Sequence, residues 1–238
     1  FDPRVPPRSL HEDCTRLRPM TQPRPSSTVI VLREATDGFE VLLGRRPRGH
    51  AFGGAWVFPG GVVDPEDHER QLTGIDAPDA AWRAAALREV AEEVGIFITD
   101  PAVSSPSVLE GRAVHDYVRS AGAAWRHDRL AYLSNWVTPE GLPKRFDTRF
   151  FLAVIESEAL GPISAELEVV EWMSPEVALH RYEIDEIELI LPTIAHLRML
   201  LPFTSADEAD RFARSQDHVD PVQPRIVHRD GKVDIEIP

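Results

Sequence analysis

Three glutamates share one turn and a half of a short stretch, Arg88 to Gly95, "REVAEEVG". Wound at ~100° per residue, Glu89, Glu92 and Glu93 fall on one stripe, because positions three and four apart are neighbours on a helix. Leu87, Val90, Ala91 and Val94 fall on the opposite stripe, spaced as a core face should be. The segment therefore reads as a helix, ended by Gly95 as a left-handed cap. Like charges at these spacings cost roughly 0.2–0.5 kcal/mol per pair. A divalent cation between the carboxylates would offset that cost, and so would plain solvent. On its own such a stripe is more often a solvated helix face.

The elements that must position these acids lie on either side. "FPGG", Phe58 to Gly61, leaves a short apolar strand, "AWV", and enters a polar segment at 62–77, "DPEDHERQLTGIDA" within it, which lacks periodicity and reads as a solvated loop. The helix is expected to start near Pro78, with Asp79 suiting its dipole. Upstream, "STVIVLRE" and "DGFEVLLGRRPR" read as adjacent strands around an Asp-Gly turn. Downstream, "SVLEGRAVHDYVRSAGA" reads as helical, and "LAYLSNWVTP", "RFFLAVIE" and "LEVVEWM" as extended. "SPEVALHRY" is a helix with a Ser N-cap, and "EIELILPTIAHLRMLL" a helix entered or kinked at Pro192. The tail "PRIVHRDGKVDIEIP" is a hairpin candidate around a second Asp-Gly. Strands mixed with helices indicate a layered α/β domain.

With "FPGG" in order before it, "REVAEEVGI" resembles the Nudix hydrolase signature. The second half of that pattern is present in full, as Arg88, Glu89, Val90, Glu92, Glu93, Gly95 and Ile96. Gly61 lies 27 positions before Arg88, where the family pattern has 14, so about 13 residues are inserted, and the family's first glutamate falls on Ala80. The inserted acids of "DPEDHERQ", solvated on the plain reading, could instead contact substrate or compensate for that missing glutamate. "GAWVFPGGVVDPED", "WVTPEG", "RFDTRFFLA" and "EWMSPEVAL" extend the likeness over residues 26–203. They are similar to the coenzyme A diphosphatase-like branch with an insertion in the box.

The resemblance implies a Nudix-type α/β/α sandwich with a mixed sheet at 26–203, the box insertion at about 62–77. An irregular, proline-rich N-terminal arm covers 1–25, and a C-terminal tail covers 204–238. It implies a Mg²⁺- or Mn²⁺-dependent hydrolase that cleaves a diphosphate bond in a nucleoside diphosphate linked to another moiety. The alternative is a non-catalytic module of the same fold that binds a nucleotide metabolite and regulates a partner. Glu89 and Glu93 are the direct metal ligands by this likeness, and Glu92 is a ligand or a water-activating base. The carbonyl of Gly60 or Gly61 is a further ligand, and Arg88 orients the glutamates. Glu166 or Glu168 in "SAELEVVEWM" acts as a late ligand or base. Arg45, Arg46 and Arg48, following the second strand, are the expected contacts for substrate phosphates, since arginine donates in a planar fork. A homodimer is implied by resemblance alone.

Several further residues carry a plainer reading. Trp56, Trp136 and Trp172 are strand aromatics with core roles, Asp147 a structural support, and His50 a surface or hairpin residue. The chain of 238 residues is 42% hydrophobic, enough for a core, and carries a net charge of −13. That charge argues against a nucleic-acid partner, which needs clustered Lys and Arg. It leaves room for a small phosphorylated ligand that brings its own cation. A single cysteine, Cys14, excludes an intramolecular disulfide and fits a reducing, cytoplasmic setting. No run of ~18 apolar residues suggests a membrane span. Met20 is a candidate natural start, with what precedes it a leader.

Overall fold

In the computed structural model, the described residues are 22–49, 53–156, 160–229 and 232–236. The strands in chain order are β1 (Arg24–Ala35), β2 (Gly38–Arg45), β3 (Ala55–Val57), β4 (Gly60–Val62), β5 (Thr99–Asp100), β6 (Ala124–Trp125), β7 (Ala131–Val137), β8 (Phe146–Val154), β9 (Val169–Met173), β10 (Glu188–Leu189), β11 (Pro221–Val222), β12 (Arg225–Arg229) and β13 (Lys232–Glu236). The helices are α1 (Arg70–Thr73), α2 (Ala80–Val94), α3 (Arg112–Ser120), α4 (Pro175–Glu183), α5 (Leu191–Leu200) and α6 (Ala206–Arg214).

The main sheet runs β10-β3-β2-β1-β8-β7-β11 and is mixed: β1 pairs parallel with β8, and β7 antiparallel with β8. On its other edge β1 divides its bonds. Its second half pairs with β2, Leu32 opposite Val41, while Ser26 to Thr28 pair with Val62 to Gly60 of β4. The sheet opens at that division, and the strand exit "FPGG" is drawn into it, with Val29 N–H donating to the Pro59 carbonyl at 2.9 Å.

Both faces of the sheet are covered, because β1, β2 and β8 are apolar at consecutive positions, as strands buried on two sides must be. Ile30, Leu32, Val41, Leu43, Phe150 and Leu152 face a core closed by α4, α5 and α6. Val29, Val31, Leu42, Phe151 and Ala153 face the other core, with Leu87, Val90 and Val94 of α2 and Val114 and Val118 of α3. The architecture is the expected α/β/α sandwich.

The residue patterns that predicted hairpin, helix and cap hold in detail at several places. β1 and β2 form the expected pair around Asp37 and Gly38, Ser174 caps α4 by accepting from Val177 N–H, and β12 and β13 form the tail hairpin. Trp56 and Trp136 are core residues, and Trp172 lies half-buried on β9 under the Arg33 guanidinium at 4.5 Å.

Other expectations are corrected. The helix α2 begins at Ala80, after its N-cap Asp79, so Pro78 precedes it rather than opening its first turn. Residues 62–77 are not a plain loop: Pro65–His68 forms a 3-10 turn and Arg70–Thr73 a short helix ended by Gly74. The polar composition hid this, since short helices pinned by tertiary bonds need no apolar period of their own. Glu188–Leu189, read as helix, pairs with β3, and the helix starts after it. The ordered unit also runs past residue 203. The helix α6 buries Ala206, Ala209 and Ala213 in the first core, and β11 adds to β7. Phe1 to Thr21, with Cys14 and Met20, and His50 lie outside the described residues. No helix among the described residues is long and apolar enough to cross a membrane.

Candidate active site

The turn of α2 that carries the acids is not a solvated face. Arg88 and Glu93 are each 2% exposed and Glu89 8%, alongside the apolar positions on the opposite side. The helix is therefore buried all round in its second half. The acids point into the opening between β1 and the "FPGG" exit.

Glycine makes that approach possible. A Cβ on Gly61 would stand 2.2 Å from Oε1 of Glu89, so only hydrogen leaves room for the carboxylate. A Cβ on Gly60 would stand 2.4 Å from the Ser27 carbonyl of β1. Glu93 accepts a hydrogen bond from Gly60 N–H through Oε2 at 3.0 Å. Its other oxygen, Oε1, is buried with no hydrogen-bond partner among the described residues, and its nearest cation is Arg46 at 3.7 Å. Gly95 ends the helix at φ +67°, with its Cα pressed against Gly161, whose N–H donates to the Val94 carbonyl.

The electrostatics follow from burial. Loss of water pushes the Glu93 carboxyl up to about 8, and the charges of Glu89 and Glu166 add to the shift against the pull of Arg46. Burial likewise lifts Glu89 to about 7, with Arg88 opposing and Glu92 and Glu166 reinforcing. Glu92 is also raised by burial, against Arg88 and the Gly111 N–H. Carboxylates that resist ionisation for want of a counter-charge fit a cation.

The cleft, about 370 Å³, is lined by Ser26, Thr28 and Thr148 from β1 and β8, Arg46, Gly60 and Gly61, Arg88, Glu89, Glu92 and Glu166, with Phe58, Phe146 and Ile190 on its apolar side. Of the expected site residues, it gathers Glu89, Glu166, Arg46, Gly61 and Arg88. Glu93 closes it from beneath, through its bond to Gly60. Between the two late acids the geometry separates the roles. Glu166 faces the cleft, whereas Glu168 pairs with Arg45 at 3.1 Å.

Three expected contributions are placed elsewhere or differently. Arg45 and Arg48 are not brought into the cleft; they line a neighbouring cavity with Glu168, Asp185, Glu186 and Glu188. Arg45 and Arg46 are adjacent on an extended segment and so face opposite sides, while Arg48 lies past the strand in the turn at residues 48–49. Glu92 borders the cleft, but its oxygens already accept from Arg88 Nη1 at 3.2 Å and from Gly111 N–H at the start of α3. Among the described residues no three His, Cys, Asp or Glu side chains converge as a complete metal cage. A hard ion such as Mg²⁺ keeps several waters and asks for only one or two carboxylates, so Glu89 and Glu93 with a glycine carbonyl fit it as a donor set.

The sequence singled out no residue among the acids of 62–77, which were open to a solvated role, to substrate contact or to compensating for the glutamate missing at Ala80. Of these, Asp67 is 1% exposed. It receives Arg88 Nε at 3.1 Å and Nη2 at 2.9 Å, the Asp64 N–H at 2.8 Å, and His115 Nε2 at 3.0 Å. Burial works against its charge, but the bonds from His115 and Arg88 hold its pKa below the usual carboxylate range. The one local signal was "DPED", a proline at the first helical position with an acid two later, which marks a helix start. Asp147 lies on β8 outside the cleft, with Oδ1 buried and unpaired among the described residues.

Comparison with known proteins adds to this geometry. The model of the NUDIX domain matches residues 22–191. A Homo sapiens protein named acyl-coenzyme A diphosphatase NUDT19 is 31% identical over 182 residues, 66% of this chain and 48% of its own length. A Caenorhabditis elegans protein, putative nudix hydrolase 7, is 25% identical over 206 residues, 82% of this chain and 67% of its own. Thus the chain spans about half the length of the human relative. The crystal structure of a NUDIX hydrolase from Alicyclobacillus acidocaldarius superposes with a TM-score of 0.71 at 29% identity, covering 81% of this chain and 97% of that one.

Proposed function

The chain belongs to the NUDIX domain family, and from that premise we propose that it is a metal-dependent hydrolase of a diphosphate bond. Its substrate would be a nucleoside diphosphate linked to another moiety, with coenzyme A or a derivative as first candidate. The observation that carries this reading is the Glu93 carboxylate. It is buried beneath the cleft with one oxygen unpartnered and its pKa pushed up to about 8, beside a second buried glutamate at about 7. Such a pair is costly to a bare protein and useful to one that loads a divalent ion. The name of the human relative supports the coenzyme A candidate.

In this reading Glu89 and Glu93, with a carbonyl of Gly60 or Gly61, would hold Mg²⁺ or Mn²⁺, and the ion would supply positive charge against the diphosphate and make the attacking water easier to deprotonate. Arg46, with its side chain 24% exposed and lining the cleft, meets a phosphate oxygen, and Ser26, Thr28 and Thr148 line the same cleft with hydroxyls. Glu166, which lines the same cleft as Glu89, takes a proton from the attacking water in this reading. Positioning and charge do most of the work in phosphoryl transfer, and rigid buried carboxylates provide both.

The test is product formation with Mg²⁺ or Mn²⁺ across coenzyme A, acyl-coenzyme A, dinucleotides, ADP-ribose, nucleotide sugars and oxidised nucleoside triphosphates. Release of two phosphorylated halves from any one supports the reading and names the substrate. Tight binding with no cleavage of any would instead favour a non-catalytic, ligand-sensing module.

A further inference from the structure

Arg88 is the largest fully buried side chain among the described residues, and every edge of its guanidinium is occupied. One edge, Nε and Nη2, forks onto the two oxygens of Asp67 at 3.1 and 2.9 Å, and Nη2 also donates to the Val62 carbonyl at 2.9 Å. The remaining nitrogen, Nη1, reaches Glu89 Oε1 at 2.9 Å and both oxygens of Glu92 at 3.2 Å. The planar fork makes these two edges interdependent: fixing one fixes where the other points.

Asp67 is itself fixed. His115 Nδ1 accepts from Trp125 Nε1–H at 3.1 Å, so the proton of a neutral ring sits on Nε2 and is donated to Asp67 Oδ1. His115 is wholly buried, and its ring meets Trp125 edge-on at 5.9 Å. The position of α2 where the family pattern has its first glutamate is Ala80, which packs against the second core. The chain of bonds runs Trp125, His115, Asp67, Arg88, Glu89 and ends where Glu89 lies over Gly61.

The split has an electrostatic consequence. A lone Arg88 facing Glu89 would satisfy that carboxylate. With Asp67 bound bidentate on the far edge, most of the cation is already matched, and Glu89 keeps its demand for a second positive charge. We infer that Asp67, held by His115, is a positioning residue of the hydrolytic site: it orients Arg88 toward Glu89 and shares its charge, making the segment between Gly61 and α2 a working part of the site. This rests on the hydrolase reading above.

The experiment compares the full chain with Asp67→Asn, Asp67→Ala, His115→Gln and His115→Phe. Mn²⁺ binding to substrate-free protein is followed by electron paramagnetic resonance, alongside kcat, KM and thermal unfolding. Loss of a group behind the direct ligands costs about 10–100-fold in metal affinity or activity. Asp67→Asn should weaken Mn²⁺ binding by about that factor and lower kcat with KM little changed. His115→Gln, which retains an N–H near the Nε2 position, should sit close to the parent, and His115→Phe between the two. A metal-free crystal structure of Asp67→Asn should show Glu89 Oε1 withdrawn from Gly61. Folded Asp67→Asn with parental Mn²⁺ affinity and kcat, or with Glu89 unmoved, overturns the inference. So does a variant whose only change is a lower melting temperature. A parent that neither binds Mn²⁺ nor cleaves any substrate overturns the hydrolase reading instead, and the crystal structure still decides whether Asp67 places Glu89.

Discussion

At the scale of single residues, burial decides the role of each charge. Glu93 sits in low dielectric with one oxygen unmatched, so the amide that removes its charge should relieve the fold while disabling the site. Glu93→Gln is expected to cut Mg²⁺-dependent turnover by at least about 10²-fold, roughly 3 kcal/mol of barrier. Its melting temperature without metal should be equal to or above the parent's; an active Glu93→Gln variant would refute the assignment. The arginines separate in the same way. Arg46 is 3.7 Å from Glu93 and lines the cleft, whereas Arg45 is engaged with Glu168. Steady-state kinetics should show KM rising about 10-fold or more for Arg46→Glu, a loss of one charge-assisted contact of about 1.4 kcal/mol. Arg45→Ala should leave KM within about twofold.

Elements set these residues in place through their ends and the contacts between them. The cap of α2 at Gly95 is both left-handed, at φ +67°, and pressed on Gly161. A Cβ there meets the Gly161 Cα at 2.4 Å, so Gly95→Ala carries a steric cost on top of the ~1–2 kcal/mol of the left-handed conformation. On the other face, α5 is tied to the sheet by His196, whose Nδ1–H donates to the Pro192 carbonyl at 2.6 Å while Nε2 accepts from the Ser134 hydroxyl at 2.6 Å. The ring stacks on Phe150 at 4.3 Å, and burial lowers its pKa from 6.5 to about 4. Below pH 6.5 the unfolded chain therefore takes up a proton that the folded one refuses. Stability from this residue is complete above 6.5 and falls as pH drops toward 4, with a slope approaching about 1.4 kcal/mol per pH unit. Buried Glu89 and Glu93, with raised pKa values, contribute slopes of opposite sign that the parent and a His196→Gln variant share. Urea unfolding between pH 4 and 7 should therefore show the parent's advantage over His196→Gln shrinking with the His196 slope as pH falls; a difference that stays constant would argue against a neutral buried ring.

For the whole molecule, the sandwich needs its last helix. The alanine face of α6 covers the sheet over β7 and β8, beyond the end of the family match at residue 191. A chain ending at residue 203 should unfold on the order of 10 °C lower than one ending at 219, because several kcal/mol of apolar burial are lost and ~1 kcal/mol shifts a chain of this size by about 2–4 °C. Calorimetry of the two lengths checks this. Much of the architecture was legible beforehand for a local reason. Two-sided strands such as Val29 to Leu32, and the period of Leu87, Val90, Ala91 and Val94, announce themselves within a few residues. So did the turn at Gly38, the Ser174 cap and the Gly95 stop. The acid-bearing helix, its arginine and the glycine exit were legible in the same way, as one register of a short motif.

What the chain's order of residues determined by itself was the kind of chemistry and the elements able to carry it, since periodicity and capping act over a turn or two. Tertiary structure alone decided which charges are buried together. It set Glu166 in the cleft and Glu168 on Arg45, and Arg46 inward of its two neighbours. It turned Glu92 toward Arg88 and Gly111, and it buried Asp67, from the polar stretch 62–77, behind Arg88. Most of these placements depend on groups far apart in the chain, such as Asp67 and His115, 48 positions apart, and Arg45 and Glu168. The energy of a charge is set by the dielectric and partners around it, and those exist only once distant segments have packed.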